Sequence, residues 1–137
     1  MYMFNSSKFL HLYGSLKAKS LKRRDVSNSD IEPLLNSFSD LFKVSVQGLS
    51  ETGLPIHSVG IGSGPKRILI WSQMHGNEST TTKAIFDLFN YLELGYYKDF
   101  LTSCTLLIIP ILNPDGAKNF TRLNANNVDL NRDASDI

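Results

Sequence analysis

Two runs of consecutive apolar residues dominate the pattern of hydrophobic and polar positions along the chain. The first lies within residues 66–73 and the second extends over residues 105–112. A strand that is buried on both faces is apolar at successive positions, whereas a half-buried strand alternates. We therefore predict that both runs form interior strands of a sheet that is flanked by helices.

Helical periodicity follows the first run. Ser79 or Thr80 is suited to the amino-terminal cap of this helix, and Gly95 is suited to its end. The apolar positions recur three or four residues apart, at Ile85, Leu88, Phe89 and Leu92. This spacing places them on one face, so the helix is expected to pack against the sheet.

A second helix and a hairpin are predicted nearer the amino terminus. The helix begins near residues 29–30 and has Pro33 in its first turn. Its apolar stripe consists of Ile31, Leu34, Leu35 and Phe38. Residues 43–49 and 55–61 are typical of paired strands joined by a turn at Thr52 and Gly53. Two helices and about four strands leave the last strand exposed, which indicates the amino-terminal portion of a longer α/β domain.

Composition adds few functional clues. The chain has 137 residues, 42% of them hydrophobic, and this length and composition suit a single domain. Its net charge is +1. A basic cluster comprises Lys17, Lys19, Lys22, Arg23 and Arg24. It has no interleaved aromatic residues, so we interpret it as a solvated basic face and expect no nucleic-acid partner.

Targeting signals are not recognisable in the sequence. The first twelve residues have neither the charge pattern nor the cleavage site of a signal peptide, and no apolar stretch is long enough to span a membrane. Cys104 is the single cysteine, so no intrachain disulfide can form. The sequence does not determine the cellular compartment of the protein, although the cytoplasm is favoured.

His75 and Glu78 form an HxxE motif directly after the first apolar run. A catalytic zinc ion usually takes three protein ligands, and histidine nitrogen and glutamate oxygen are suitable donors. Residues three apart meet on a helical turn, and sites of α/β sheets lie beyond the carboxyl ends of strands. The motif also recurs by chance, in which case Glu78 only favours the helix amino terminus and His75 is a polar loop residue.

Further polar motifs follow the second run. Asn113-Pro114-Asp115-Gly116 predicts a tight turn at the end of that strand. Arg122 and the pair Asn131-Arg132 come next, in a segment without helical or strand periodicity. Arginine donates in a planar fork that matches a carboxylate or a developing oxyanion. Alone, such arginines are commonly solvated surface residues.

Taken together, HGNE, NPDG, the Thr121-Arg122 step and VDLNR resemble, in order and spacing, the zinc carboxypeptidases of the M14 type. The resemblance covers about residues 67–132. It implies a three-layer α/β/α sandwich on a mixed, mostly parallel sheet. It also implies a Zn²⁺ cofactor and hydrolysis of the amide bond next to a substrate's C-terminal carboxylate. The partner would be a peptide or small amide with a free carboxylate, and the domain would occupy residues 29–137 after a basic segment, 1–28.

The same resemblance assigns roles to individual residues. It makes His75 and Glu78 zinc ligands, and Arg122 the group that polarises the scissile carbonyl and stabilises its oxyanion. Asn131 and Arg132 would hold the substrate's terminal carboxylate. The second histidine ligand, the tyrosine and the glutamate base of the family are not recognisable, since His11 and His57 lie upstream and are not assigned to zinc. We therefore expect this chain alone to be inactive.

Three other functions remain open from the sequence. Acyl-amino-acid hydrolases of the aspartoacylase and succinylglutamate desuccinylase type share HGNE and a DLNR-like segment, although the NPDG turn argues against them. Amidases of cell-wall peptides are a second possibility among compact bacterial members. The third is a non-catalytic module that retains the carboxylate-binding arginines and has lost the hydrolytic half.

Overall fold

The computed structural model describes residues 6–95 and 97–132. Within these residues the chain forms five helices and four strands. The helices are α1 (Ser6–Leu16), α2 (Asn28–Leu35), α3 (Thr80–Glu93), α4 (Lys98–Ser103) and α5 (Pro114–Asn119). The strands are β1 (Lys43–Leu49), β2 (Pro55–Gly62), β3 (Lys66–Trp71) and β4 (Cys104–Ile109).

The strands form one mixed sheet in the order β1-β2-β4-β3. β2 pairs antiparallel with β1 and with β4, and β3 pairs parallel with β4. The predicted hairpin is confirmed, and its turn has Gly53 at φ +82°, a conformation that glycine adopts without strain. Because β3 and β4 run parallel, the loops that follow them leave the sheet at the same edge.

Helices α2 and α3 cover one face of the sheet. Ile61, Leu106 and Ile108 from the sheet belong to the same buried cluster as Phe86 and Phe89 from α3. The aromatic rings pack closely, with the Phe86 and Phe89 centroids 5.4 Å apart in an edge-to-face arrangement. The predicted helix after HGNE is thus confirmed as α3, and Gly95, at φ +77°, follows its end.

The position of β3 corrects an expectation. Residues 66–73 were predicted to form an interior strand, but among the described strands β3 pairs only with β4. Leu69 and Trp71 of this edge strand are 54% and 47% exposed. The run 105–112 does contain an interior strand, β4, so among the described strands the edge positions belong to β1 and β3 and not to the last strand. The helix layer expected over the second sheet face stays a prediction.

The predicted second helix is α2. It begins at Asn28, so Pro33 is its sixth residue and lies beyond the first turn. Ile31 and Leu35 are buried as predicted. His57 on β2 bonds to Glu32 on α2, with 3.1 Å between Nε2 and Oε1, so this histidine joins the helix to the sheet.

The segment between α1 and α2 lies along α3. The amide of Ala18 donates to Asp87 Oδ1 at 2.7 Å, and Asn90 Nδ2 donates to the carbonyl of Leu16 at 2.7 Å. Leu21 and Val26 are buried in the main core. Hydrogen bonds and apolar anchors at both ends therefore fix the path of residues 17–26.

The NPDG motif is the beginning of helix α5, whereas the sequence predicted only a turn. Asn113 is the amino-terminal cap, and its Oδ1 accepts a hydrogen bond from the Gly116 amide at 2.9 Å. Asp115 is buried and accepts hydrogen bonds from Ser50 Oγ, at 2.8 Å, and from Thr52 Oγ1. These contacts tie the hairpin turn to α5.

Among the helices of the described residues, none has the length and apolar character needed to cross a bilayer.

Candidate active site

The loops after β3 and β4 extend the pairing of these strands. The amide of Ser72 donates to the carbonyl of Ile109 at 3.0 Å, and the amide of Leu112 donates to the carbonyl of Ser72 at 2.9 Å. The amide of Asn113 then reaches the carbonyl of Gln73 at 3.2 Å. The HGNE loop and the start of α5 consequently have a fixed relative position.

A buried network of hydrogen bonds joins the HGNE loop to α3 and to the segment that precedes α2. Thr82 of α3 donates to Gln73 Oε1 at 2.7 Å and lies 3.0 Å from Ser72 Oγ. Gln73 Nε2 donates to the carbonyls of Gly76, at 2.8 Å, and Val26, at 2.7 Å. Gln73 itself has φ +49°, which is unusual for a residue other than glycine. The hydrogen bonds at both ends of its amide hold this conformation.

Gly76 permits the closest contact between the two loops. A Cβ atom at this position would lie 1.8 Å from the carbonyl carbon of Gly116 and 2.2 Å from the amide nitrogen of Ala117. Such distances are far inside van der Waals contact, so only glycine allows the backbones to touch here. The close approach brings the residues after Gly76 next to those after α5.

The imidazole of His75 lies between two carboxylates. Its Nδ1 is 3.2 Å from Glu78 Oε2, and its Nε2 is 3.1 Å from Asp129 Oδ1. The His75 side chain is 11% exposed, whereas that of Glu78 is 62% exposed. One ring nitrogen thus faces the buried side and the other faces an accessible carboxylate.

Arg122 completes this cluster. Its Nε donates to Asp129 Oδ2 at 3.0 Å, and its Nη1 lies 3.4 Å from Glu78 Oε1. The structure therefore brings together three of the predicted site residues, His75, Glu78 and Arg122. Asp129 was not predicted as a site residue, although it lies within the VDLNR motif on which the resemblance rests.

Asp129 is held in its ionised form. Partial burial raises the pKa of this carboxyl, but hydrogen bonds from the Asn131 amide, Arg122 and His75 outweigh burial and lower the pKa below its usual value. An ionised Asp129 accepts a hydrogen bond from His75 when the proton of the imidazole is on Nε2. We assign this tautomer from the partners, and it leaves Nδ1 as the acceptor that faces Glu78.

The spacing of His75 Nδ1 and Glu78 Oε2 is compatible with a bound metal ion. Two ligands at about 2.0–2.1 Å from a tetrahedral zinc ion are separated by about 3.3 Å, and the observed separation is 3.2 Å. Within residues 6–95 and 97–132, no group of three His, Cys, Asp or Glu side chains is arranged to hold a metal. The described residues thus offer a pair of suitable donors.

Asn131 and Arg132 lie beside this cluster without joining it through their side chains. Their backbone amides donate to Asp129, at 3.0 Å from Asn131 to Oδ1 and at 2.8 Å from Arg132 to the carbonyl oxygen. Both side chains are exposed. Arg132 forms no ion pair in the described part of the chain, so its guanidinium is accessible to a ligand. The side chain of His11 lies outside the described residues.

Comparison with known proteins identifies the family. The family model for zinc carboxypeptidases, Peptidase_M14, matches residues 28–136, which is most of the chain. The chain belongs to the zinc carboxypeptidase family. It is also 33% identical over 131 residues to Carboxypeptidase SOL1 of Arabidopsis thaliana, a match that covers 85% of this chain and 27% of that protein.

Solved structures support the fold. A metallo-carboxypeptidase from Burkholderia cenocepacia superposes with a TM-score of 0.73 at 23% identity, over 81% of this chain and 34% of its own. A metallo-carboxypeptidase from Pseudomonas aeruginosa gives a TM-score of 0.64 at 22% identity, over 78% and 31% of the two chains. These matches confirm the predicted carboxypeptidase-like fold, and this chain spans about a third of each structure.

Proposed function

We propose that the protein is a zinc-dependent metallocarboxypeptidase that hydrolyses the amide bond next to a substrate's C-terminal carboxylate, and that this chain supplies part of its site. The observation that carries the proposal is the arrangement of His75, with Nδ1 facing Glu78 and Nε2 facing Asp129. A histidine that ligates a metal through one nitrogen and bonds a carboxylate through the other is a common arrangement in metalloenzymes.

In this proposal His75 and Glu78 are two of the ligands. A bound zinc ion would acidify a water molecule and polarise the scissile carbonyl. Asp129 fixes the imidazole orientation and its tautomer. Arg122, whose Nε is held by Asp129, presents its remaining N–H groups beside Glu78, where they would stabilise negative charge on the carbonyl oxygen.

Asn131 and Arg132 are the proposed carboxylate-binding residues. The Arg132 guanidinium is exposed and matches a carboxylate with two parallel hydrogen bonds. The Asn131 amide group adds a third donor nearby. A grip on the terminal carboxylate restricts cleavage to a chain end, because the scissile bond is positioned relative to that carboxylate.

Binding of peptides tests the carboxylate site directly. We expect a pentapeptide with a free C-terminus to bind more tightly than the same peptide with a terminal amide, and Arg132→Ala to weaken binding of the free peptide at least about 10-fold, since charge-assisted hydrogen bonds contribute about 1.5–3 kcal/mol. Fluorescence anisotropy measures both affinities. Arg67→Ala, an exposed arginine of β3, is the matched control and should have no effect. Equal binding of acid and amide would contradict the proposed function.

The role of Asp129 gives a separate prediction. Asp129→Asn keeps the size of the side chain but removes the charge that fixes the His75 tautomer. Loss of such a carboxylate partner lowers metal affinity about 10- to 100-fold. Competition between the protein and a chromogenic chelator for Zn²⁺ measures the change, and Asp40→Asn, at an exposed position, is the control. Unaltered zinc affinity in Asp129→Asn would rule out this role.

A further inference from the structure

An open pocket of about 470 Å³ lies beside Glu78. One wall comes from the segment between α1 and α2, and the other comes from the HGNE loop and the beginning of α3. The lining includes Lys22, Arg24, Asn77, Glu78, Ser79 and Lys83. The pocket shares Glu78 with the candidate active site, but none of its lining residues belongs to the loop 122–132 that carries Arg132.

The pocket is positively charged. Lys22, Arg24 and Lys83 contribute cationic groups, and in residues 6–95 and 97–132 none of the three has a carboxylate oxygen within 4 Å. Glu78 is the single acidic residue of the lining, and its oxygens face His75 and Arg122. Three cations from two separate segments thus line the pocket, and none of them forms a direct ion pair within the described residues.

The basic wall is held in place by α3 and by the HGNE loop. Ser79 Oγ donates to the carbonyl of Arg24 at 2.5 Å, and Gln73 Nε2 donates to the carbonyl of Val26. The guanidinium of Arg24 packs on the ring of Phe120, 5.4 Å from its centroid. A purely solvated basic face needs no such anchoring. Arg24 therefore approaches the pocket in a defined position.

Asn77 adds a polar group to the same lining. Its Oδ1 is buried and, among the described residues, has no hydrogen-bond donor. A buried acceptor without a partner is costly, and a rotation of the Asn77 side chain that exposes this oxygen to the pocket would let an N–H group of a bound peptide backbone satisfy it. The lining consequently combines cations for a negative group with an acceptor for a peptide amide.

We propose that this pocket binds an acidic side chain of the peptide substrate on the amino-terminal side of the scissile bond. The inference rests on the proposed function, which puts the scissile carbonyl near Glu78 and Arg122 and the terminal carboxylate at Arg132. Residues before the scissile bond then extend away from the loop 122–132, past Glu78 and toward Lys22 and Lys83. An extended peptide advances about 3.3 Å per residue, so one of the two residues before the scissile bond reaches the pocket.

Paired peptides test the inference. Two peptides share the same free C-terminal residue and differ in having Glu or Gln at the second and third positions from that end. They compete in one reaction with a zinc-loaded protein that contains the complete site, and mass spectrometry gives the ratio of their kcat/KM values. We expect the Glu peptide to be favoured about 5- to 10-fold at low ionic strength, and less so at high salt, because the cations are partly exposed.

Substitutions separate the pocket from general charge effects. Lys22→Gln combined with Lys83→Gln should bring the Glu-to-Gln ratio close to one, whereas Lys43→Gln, on the outer strand β1, should keep it. A ratio of one in the unaltered protein, or a preference that survives the double substitution, would overturn the inference. If neither peptide is cleaved, the proposed hydrolysis has failed. Fluorescence anisotropy then gives the ratio of the dissociation constants of the two peptides. A failure of the pocket proposal can thus be distinguished from a failure of the proposed hydrolysis.

Discussion

In a protein that contains the complete site, replacing His75 by alanine should remove stoichiometric zinc and peptide hydrolysis together. His75 supplies the nitrogen that faces Glu78, and without it Glu78 is an exposed carboxylate that alone binds zinc weakly. Loss of the metal removes both water activation and carbonyl polarisation, which together contribute several kcal/mol, so activity should fall at least about 1,000-fold. Metal analysis after dialysis and a peptidase assay on the same samples measure the two effects.

His57→Ala is the matched control for this experiment. His57 is also partly buried and also contacts a glutamate, Glu32, but that pair joins β2 to α2 away from the HGNE loop. We expect His57→Ala to keep full zinc content and, where it lowers stability, to lose both readouts only at higher temperature. A full complement of zinc in His75→Ala would contradict the assignment of His75 as a zinc ligand. Binding of carboxylate peptides without turnover in the unaltered protein would favour the non-catalytic module.

Local patterns in the sequence were sufficient to predict the hairpin and the helix after HGNE. In α3, the residues Ile85, Phe89 and Leu92 are buried, as their spacing predicted. Helical and hairpin signals depend on residues close in sequence, and the packing against the sheet agrees with them. The same reasoning gave α2, although the helix begins one or two residues earlier than predicted and ends at Leu35, before Phe38 of the predicted stripe.

The position of β3 in the sheet could not be predicted in this way. An apolar run indicates that a strand is buried in the finished protein, but it does not say which strands lie beside it. In the described residues β4 lies between β2 and β3, so the later strand is the interior one. The open edge and exposed face of β3 follow from this non-local pairing.

The residues of the candidate site were likewise predicted from the sequence only in part. The motifs identified His75, Glu78 and Arg122, which the structure brings together, while their roles stay predictions. Asp129 was missed because it lies in a loop without periodicity, and its importance comes from a hydrogen bond across 54 positions of sequence. The family match over residues 28–136 favours a zinc carboxypeptidase over the acyl-amino-acid hydrolases that share HGNE.

The contact between the HGNE loop and α5 gives the second large expected effect, that of Gly76→Ala. A methyl group at this position meets backbone atoms of Gly116 and Ala117, which cannot rotate away as a flexible side chain would. Relief of the clash requires the two loops to separate, and separation weakens the hydrogen bonds that Asn113 donates to the carbonyls of Gln73 and Met74. We expect the free energy of unfolding to fall by about 3 kcal/mol, as for severe overpacking.

Gly14→Ala is the control, because a Cβ on Gly14 of α1 meets no atom within 4 Å. Alanine is the better helix former, so this variant should be unchanged or more stable by up to about 1 kcal/mol. Chemical denaturation measures both variants. In Gly76→Ala, zinc affinity should fall along with stability, since displacement of the HGNE loop carries His75 away from Asp129. A Gly76→Ala protein of normal stability would show that the two loops are less tightly packed than the structure indicates, and would remove the physical basis for the fixed position of His75.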